Sequence, residues 1–277
     1  MRIETPFRDF LAFWERAEGL PQDEQLALWE ELYAGPHRPL LDAYRGWFAG
    51  GASLEDALPR YGAIAGELEQ RFAALDLERA ARDVAELLQS DGSERAIAFV
   101  GLFTANAWMD HFEGDPTLFF ALEVDALDSW HHVTAMHELV HLAHQRLAGR
   151  LPDGDLDVLL VAEGLAIAAT RRLAPEATPE EHFSVADYAA WEADCRAAWD
   201  DAVPELLAAC DGRDLRAMRR FFWPDWGRED KDVPERFGYY AGAAAVESML
   251  ETCDVAELAA RPVARAGEVR AALSALA

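Results

Sequence analysis

Between Asp157 and Arg171 the chain carries a single charge, Glu163, set in Val158-Leu-Leu-Val-Ala-Glu-Gly-Leu-Ala-Ile-Ala-Ala-Thr170. A helix this apolar has no face suited to water, so the rest of the chain must fold around it. Lipid is excluded as its surroundings. A membrane span needs about 20 consecutive apolar residues, whereas this run is shorter and is interrupted by Glu163. The segment Leu156–Leu173 therefore reads as a buried helix of a globular protein. A lone carboxylate buried there without a partner is costly. Glu163 needs either a bound cation or an arginine such as Arg171 beside it.

The remaining pattern is mainly α (α+β). Residues 1–90 read as a helical N-terminal region. Phe7–Glu18 places Phe7, Phe10, Leu11 and Trp14 on one face, and Gln22–Tyr33 does the same with Leu26, Trp29 and Leu32. Ser53, followed by Glu55 and Asp56, has the form of an N-cap with an acidic first turn. The texture changes after Ser90-Asp91-Gly92. Arg95–Phe103 and Thr117–Val124 are short apolar runs rich in strand formers, with the turn cluster Glu113-Gly114-Asp115-Pro116 between them. They predict a small β-sheet. The second run, if it lies at a sheet edge, would accept an extended peptide by backbone hydrogen bonding.

Helical patterning resumes at Ser129–Ala148, closed by Gly149 in the C-cap position. A loop at Asp153-Gly154-Asp155 follows, then the apolar helix. The helices after it cover 185–210, with Pro204 as a break or kink, then 214–222, 237–251 and 267–276. Residues 91–277 are thus a second region, metal-site helices followed by a C-terminal helical bundle, and no clear linker separates it from the first.

The formal charge is 25 − 51 = −26. So acidic a chain repels phosphate backbones and anionic lipid, which argues against nucleic acid and membrane as partners. Three widely spaced cysteines, Cys195, Cys210 and Cys253, form neither a disulfide framework nor a four-cysteine zinc site. The N-terminus turns acidic and polar at once and does not read as a signal peptide. A cytoplasmic location is the default expectation.

The chemistry is concentrated in His137-Glu138-Leu139-Val140-His141. Four residues along an α-helix turn about 400° and rise about 6 Å, so His137 and His141 share a face one turn apart. Two such imidazoles converge on one ion, and Glu138, about 100° round, stands beside it. There it can take a proton from the water that a zinc ion activates. Val133, Ala135, Met136, Leu139, Val140, Leu142 and Ala143 make the same helix largely buried, so its polar trio needs partners.

A catalytic zinc site requires a third protein ligand. A metzincin would need Gly and His where this chain has His144 and Leu147. A deformylase-type site needs a cysteine upstream, and none precedes Cys195. A di-iron bundle needs Glu-x-x-His twice, and only Glu138–His141 supplies one. A glutamate on a following helix remains, and Glu163 fits.

His137-Glu-Leu-Val-His141 followed by Glu163-Gly-Leu-Ala166 resembles the gluzincin metallopeptidases, and more narrowly the family of predicted zinc-dependent proteases of undefined biological role. Gly238-Tyr239-Tyr240-Ala241-Gly242 matches that family's later Gly-Tyr-Tyr segment. The resemblance spans about 117–250. It implies a zincin-like catalytic region and a peptide or protein substrate cleaved with Zn²⁺ on His137, His141 and Glu163 and with Glu138 as general base. One position departs from the thermolysin-like pattern: Ile167 stands where those proteins have an aspartate that orients a zinc histidine.

An oxyanion donor is also required, and Tyr239 and Tyr240 are the candidates. Adjacent helical residues point about 100° apart, so only one faces the metal; Tyr240 is the preferred one. His144 lies about 10 Å along the helix from His137 and reads as a neighbour of the site rather than a ligand. His131, His132, Asn106, Trp108 and His111 are candidates to border the cleft, and Phe221-Phe-Trp-Pro-Asp-Trp226 is an aromatic turn that reads as packing. Two other functions fit the composition equally: a non-catalytic helical interaction protein retaining a structural metal site, and a metal hydrolase of non-peptide amides or esters.

Overall fold

The computed structural model describes residues 1–48, 52–92, 94–124, 130–149, 155–210, 215–223, 232–262 and 265–277. The expected helix start at Ser129, the Asp153-Gly154 loop and the Pro224-Asp225-Trp226 end of the aromatic turn lie outside the described residues. The fold is mainly α with one small four-stranded sheet. The chain divides into two compact units, Met1–Ala80 with Ser93–Glu138, and Ala81–Gly92 with Leu139–Ala277.

In the first unit, β1 (Arg2–Glu4) precedes α1 (Phe7–Ala17) and α2 (Gln22–Trp29), and a π-helical turn spans Glu30–Ala34. Then come α3 (Arg38–Phe48), α4 (Leu54–Ile64), α5 (Leu68–Leu75) and α6 (Leu77–Leu88), the last running on into the second unit. Ser53 caps α4 as its sequence predicts, accepting from the Asp56 N–H at 3.1 Å. The core is aromatic. Phe10 meets Tyr61, Tyr33 and Phe13 edge-on, with centroids 4.9, 5.6 and 5.7 Å away. Burying each such ring contributes about 1.5–3 kcal/mol. The π turn alters the face expected for the second helix. Its wider winding rotates each residue less than an α turn does, so Tyr33 and Ala34 are buried while Leu32 is only half-buried.

The sheet contains two strands that the helical and loop readings of their segments omitted. Its order is β1-β2-β4-β3, where β2 is Arg95–Phe99, β3 is Ala107–Phe112 and β4 is Asp115–Ala121. β1 and β4 run parallel to β2, and β3 is antiparallel to β4. Strand β3 lacks an alternating apolar pattern because it is an edge strand, half-exposed on both faces. It is joined to β4 through Glu113 and Gly114, both at positive φ (54° and 91°), the signature of a tight hairpin. This topology corrects one expectation. β4 is paired on both sides, so it has no free edge to receive a peptide. Arg95 is buried on β2, where its guanidinium is balanced by Glu4 and Glu113, each at 2.9 Å.

Helix α7 (Trp130–Ala148) is continuous, and the division between the units passes through it after Glu138. It ends where expected, with Gly149 at φ 90°. The second unit then holds α8 (Leu156–Leu173), α9 (Pro179–Phe183), α10 (Tyr188–Ala209), α11 (Leu215–Phe222), α12 (Phe237–Met249), α13 (Val255–Ala259) and α14 (Glu268–Leu276). Pro204 lies inside α10 rather than ending it. Helix α9 starts in a capping box, Thr178 with Glu181, and has Pro179 in its first turn. The core of this unit gathers Leu160 and Ile167 of α8, Val203 and Leu206 of α10, Phe237 and Ala241 of α12, and Leu273 of α14. The start of α8 is anchored by Asp157, which accepts from Arg270 of α14 at 2.6 and 2.7 Å.

No described helix is long and apolar enough to cross a membrane.

Candidate metal centre

Helix α7 is buried as its composition requires. Val133, Ala135, Met136, Leu139, Val140, Leu142 and Ala143 are all at most 4% exposed. His137, Glu138 and His141 remain half-buried on this helix. Helix α8 repeats the arrangement. From Leu160 to Thr170 every residue is buried except Glu163, which is half-buried. His137, Glu138, His141 and Glu163 thus keep partial access to water while their apolar neighbours are sealed.

His137, His141 and Glu163 each offer one ligand atom, and these atoms lie within 4.8 Å of one another. His141 Nε2 and Glu163 Oε2 are 3.4 Å apart. Ligands bonded at about 2.0–2.1 Å to a tetrahedral ion stand about 3.3–3.4 Å from each other, so this pair is already at that spacing. The donor set, two imidazoles and one carboxylate, fits a first-row divalent cation and is one of the sets used by catalytic zinc sites. Arg171, the alternative partner for Glu163, reaches Glu247 at 3.9 Å and lies over the Phe183 ring.

Next to Glu163, helix α8 packs tightly on α12. A Cβ on Gly164 would overlap the carbonyl of Gly242, and one on Gly242 would stand 2.5 Å from the Leu160 oxygen. Helices α8 and α12 therefore touch backbone to backbone, which only glycine allows.

That contact also orients the two tyrosines. Gly242 and Val246 of α12 meet Gly164, and Tyr239, at spacings of three and seven, shares their stripe. Tyr240 points elsewhere. Its ring stands edge-on to Trp191 and Trp199 of α10, at 5.7 and 5.8 Å. Its hydroxyl accepts from Arg196 Nε at 3.4 Å. Tyr239, by its spacing, lies on the side of α12 that meets α8, and its ring also packs against Phe222 at 6.1 Å.

The other candidates have structural positions. His144 is buried and outside the ligand group; burial, and then the neighbouring His141, push its imidazole down to about 4, so it is neutral. His132 Nδ1 is 3.0 Å from the Leu75 carbonyl, and His131 is buried. Trp108 stacks on Phe119 at 5.0 Å, Asn106 accepts from the Ala107 N–H, and His111 is exposed on β3. Ile167 is fully buried and offers no acceptor to a histidine.

Glu123, a buried acid, escaped the sequence reading. Glu123 is the only charge between Asp115 and Asp125, just as Glu163 is alone in its own run. The isolation that marked one marked the other.

None of the known protein families, curated proteins or solved structures matches this chain.

Proposed function

We propose that this chain is a zinc-dependent hydrolase acting on peptide bonds. The observation that carries this reading is the convergence of His137, His141 and Glu163 within 4.8 Å, with Glu138 next to the first of them in the chain and likewise half-buried. His137, His141 and Glu163 would hold the ion. Zinc bound there supplies a Lewis acid and an acidified water. Glu138 accepts the proton released as water attacks the substrate carbonyl, then delivers it to the departing amine. Tyr239 would donate a hydrogen bond to the oxygen on which negative charge develops. The resemblance to gluzincin metallopeptidases supports peptides as the substrate class.

Metal retention tests the ligand assignment. Glu163→Ala is expected to weaken zinc binding more than about 100-fold, beyond the 10- to 100-fold typical of supporting residues. His144→Ala should leave it nearly unchanged. Equilibrium dialysis against a zinc indicator reads both, and the reverse ranking would displace Glu163 from the site.

The tyrosine assignment has a kinetic test. Tyr239→Phe should lower kcat about 10²-fold with little change in KM, the usual cost of losing one oxyanion donor. Tyr240→Phe should leave kcat nearly unchanged, because its hydroxyl is turned toward Arg196. Equal losses in the two variants would remove Tyr239 from the mechanism.

A further inference from the structure

Glu123 lies two residues beyond the end of β4 and is 1% exposed. Its Oε1 accepts from the Phe103 N–H at 3.1 Å, and the Gly101 N–H is a further donor. Its Oε2 is buried and has no hydrogen-bond partner among the described residues. The chain that it binds, 100–104, connects β2 to β3 and is held by side chains rather than by a sheet ladder. The Tyr33 hydroxyl donates to the Val100 oxygen at 2.8 Å and accepts from the Val100 N–H at 2.9 Å. Tyr44 accepts from the Leu102 N–H at 2.9 Å and pairs with Thr104. Tyr61 donates to the Gly101 oxygen at 2.8 Å.

Within this segment Phe103 has φ 60°, a left-handed conformation that an aromatic residue keeps only where its surroundings enforce it. Its ring is held between Tyr61, stacked at 5.6 Å, and the Arg60 guanidinium, 3.6 Å from the centroid. The segment is thus strained, and among the described residues that hold it Glu123 contributes a carboxyl.

We propose that Glu123 is a proton-operated latch on the segment 100–104: its neutral form keeps the segment closed, and its ionisation draws in water and lets the segment open. Burial favours the neutral acid and pushes the carboxyl up to about 7, against the pull of the Gly101 and Phe103 N–H donors and of Arg60. The titratable and charged groups around it are Tyr33 from the π turn, Tyr44 from α3, and Tyr61 and Arg60 from α4. From α5, Arg71 donates to the adjoining Leu122 carbonyl at 3.1 Å and pairs with Glu67. The three tyrosines are all held above their ordinary range, burial first among the causes and the Glu123 charge a further one, so they stay neutral as Glu123 titrates.

The sign follows from linkage. The closed form holds a proton at pH values where the opened, hydrated carboxyl at its ordinary value of 4.5 releases it. Closure is therefore fully favoured below about 4.5 and is progressively lost as pH rises to about 7, by roughly tenfold per pH unit, with no further loss above. Hydrogen exchange at the Phe103 amide, corrected for the intrinsic rate, reads this opening directly. In the full chain the opening constant should rise by roughly 10²-fold between pH 5 and pH 8 and level off above 7. In Glu123→Gln it should be flat over the same range. A flat profile in the natural protein, or the same rise in the variant, would overturn the latch. Should the glutamine variant fail to fold, carboxyl NMR of Glu123 in the natural protein decides the matter: a midpoint near 7 supports the latch, and one below about 5 ends it.

Discussion

Glu138→Gln is expected to keep its metal and lose hydrolysis by about 10²- to 10⁴-fold, the span that a general base contributes. Glutamine has nearly the same shape as glutamate, so the packing of α7 should be undisturbed. Glu138 is not one of the three residues whose ligand atoms converge, so zinc stoichiometry should stay at the natural value. What disappears is the ability to take a proton. The measurement is metal content by atomic emission together with turnover of a quenched-fluorescent peptide library. Undiminished turnover would rule out Glu138 as the base. Loss of metal along with activity would instead make Glu138 part of the ligand set. If the natural protein binds zinc but turns over simple esters and not peptides, the hydrolase reading survives and its substrate class changes.

Gly164→Ala should both destabilise the second unit and loosen the metal. The added methyl would have to occupy the space of the Gly242 carbonyl, and neither group is a flexible side chain that can swing aside. The helices must separate. Overpacking of this kind costs about 1–3 kcal/mol. About 2 kcal/mol corresponds to a melting temperature lower by roughly 4–8 °C for a chain of this size. Glu163 is the neighbouring residue, so the separation moves its carboxylate relative to His141, now 3.4 Å away. A displacement near 1 Å is enough to cost about 10²-fold in rate. Val203→Ala, at a fully buried position on α10, provides the control. It should cost a comparable melting temperature by leaving a cavity, with zinc affinity retained. Equal effects of both variants on zinc affinity would mean that the α8–α12 contact has no special part in placing Glu163.

Much of this arrangement was legible in the chain. The burial of α8 followed from its composition, since a helix carrying so few polar residues has nowhere else to go, and that of α7 from its apolar stripe of Val133, Met136, Leu139, Val140 and Ala143. That His137, Glu138, His141 and Glu163 need partners followed from the cost of burying them alone. The turn at Glu113-Gly114 and the caps at Ser53 and Gly149 are local chemistry, carried by the residues that form them. Strand β3 was not legible. An edge strand is stabilised by its partner's backbone, and Ala107–Phe112 carries little pattern of its own. The same holds for β1, three residues whose pairing with β2 joins positions more than ninety apart in the chain.

The tyrosines show most plainly where local information ends. That at most one of Tyr239 and Tyr240 faces α8 is a property of any α-helix and needs no structure. Which one does depends on how α12 is rotated, and that rotation is set by Gly242 lying against Leu160 and Gly164, residues about eighty positions earlier. The pairing of His141 with Glu163 at 3.4 Å is of the same kind. Residue types and helical spacing select the candidate ligands, because side-chain chemistry and the 3.6-residue period are intrinsic to the chain. Their convergence depends on close packing between segments distant in sequence, which periodicity cannot encode.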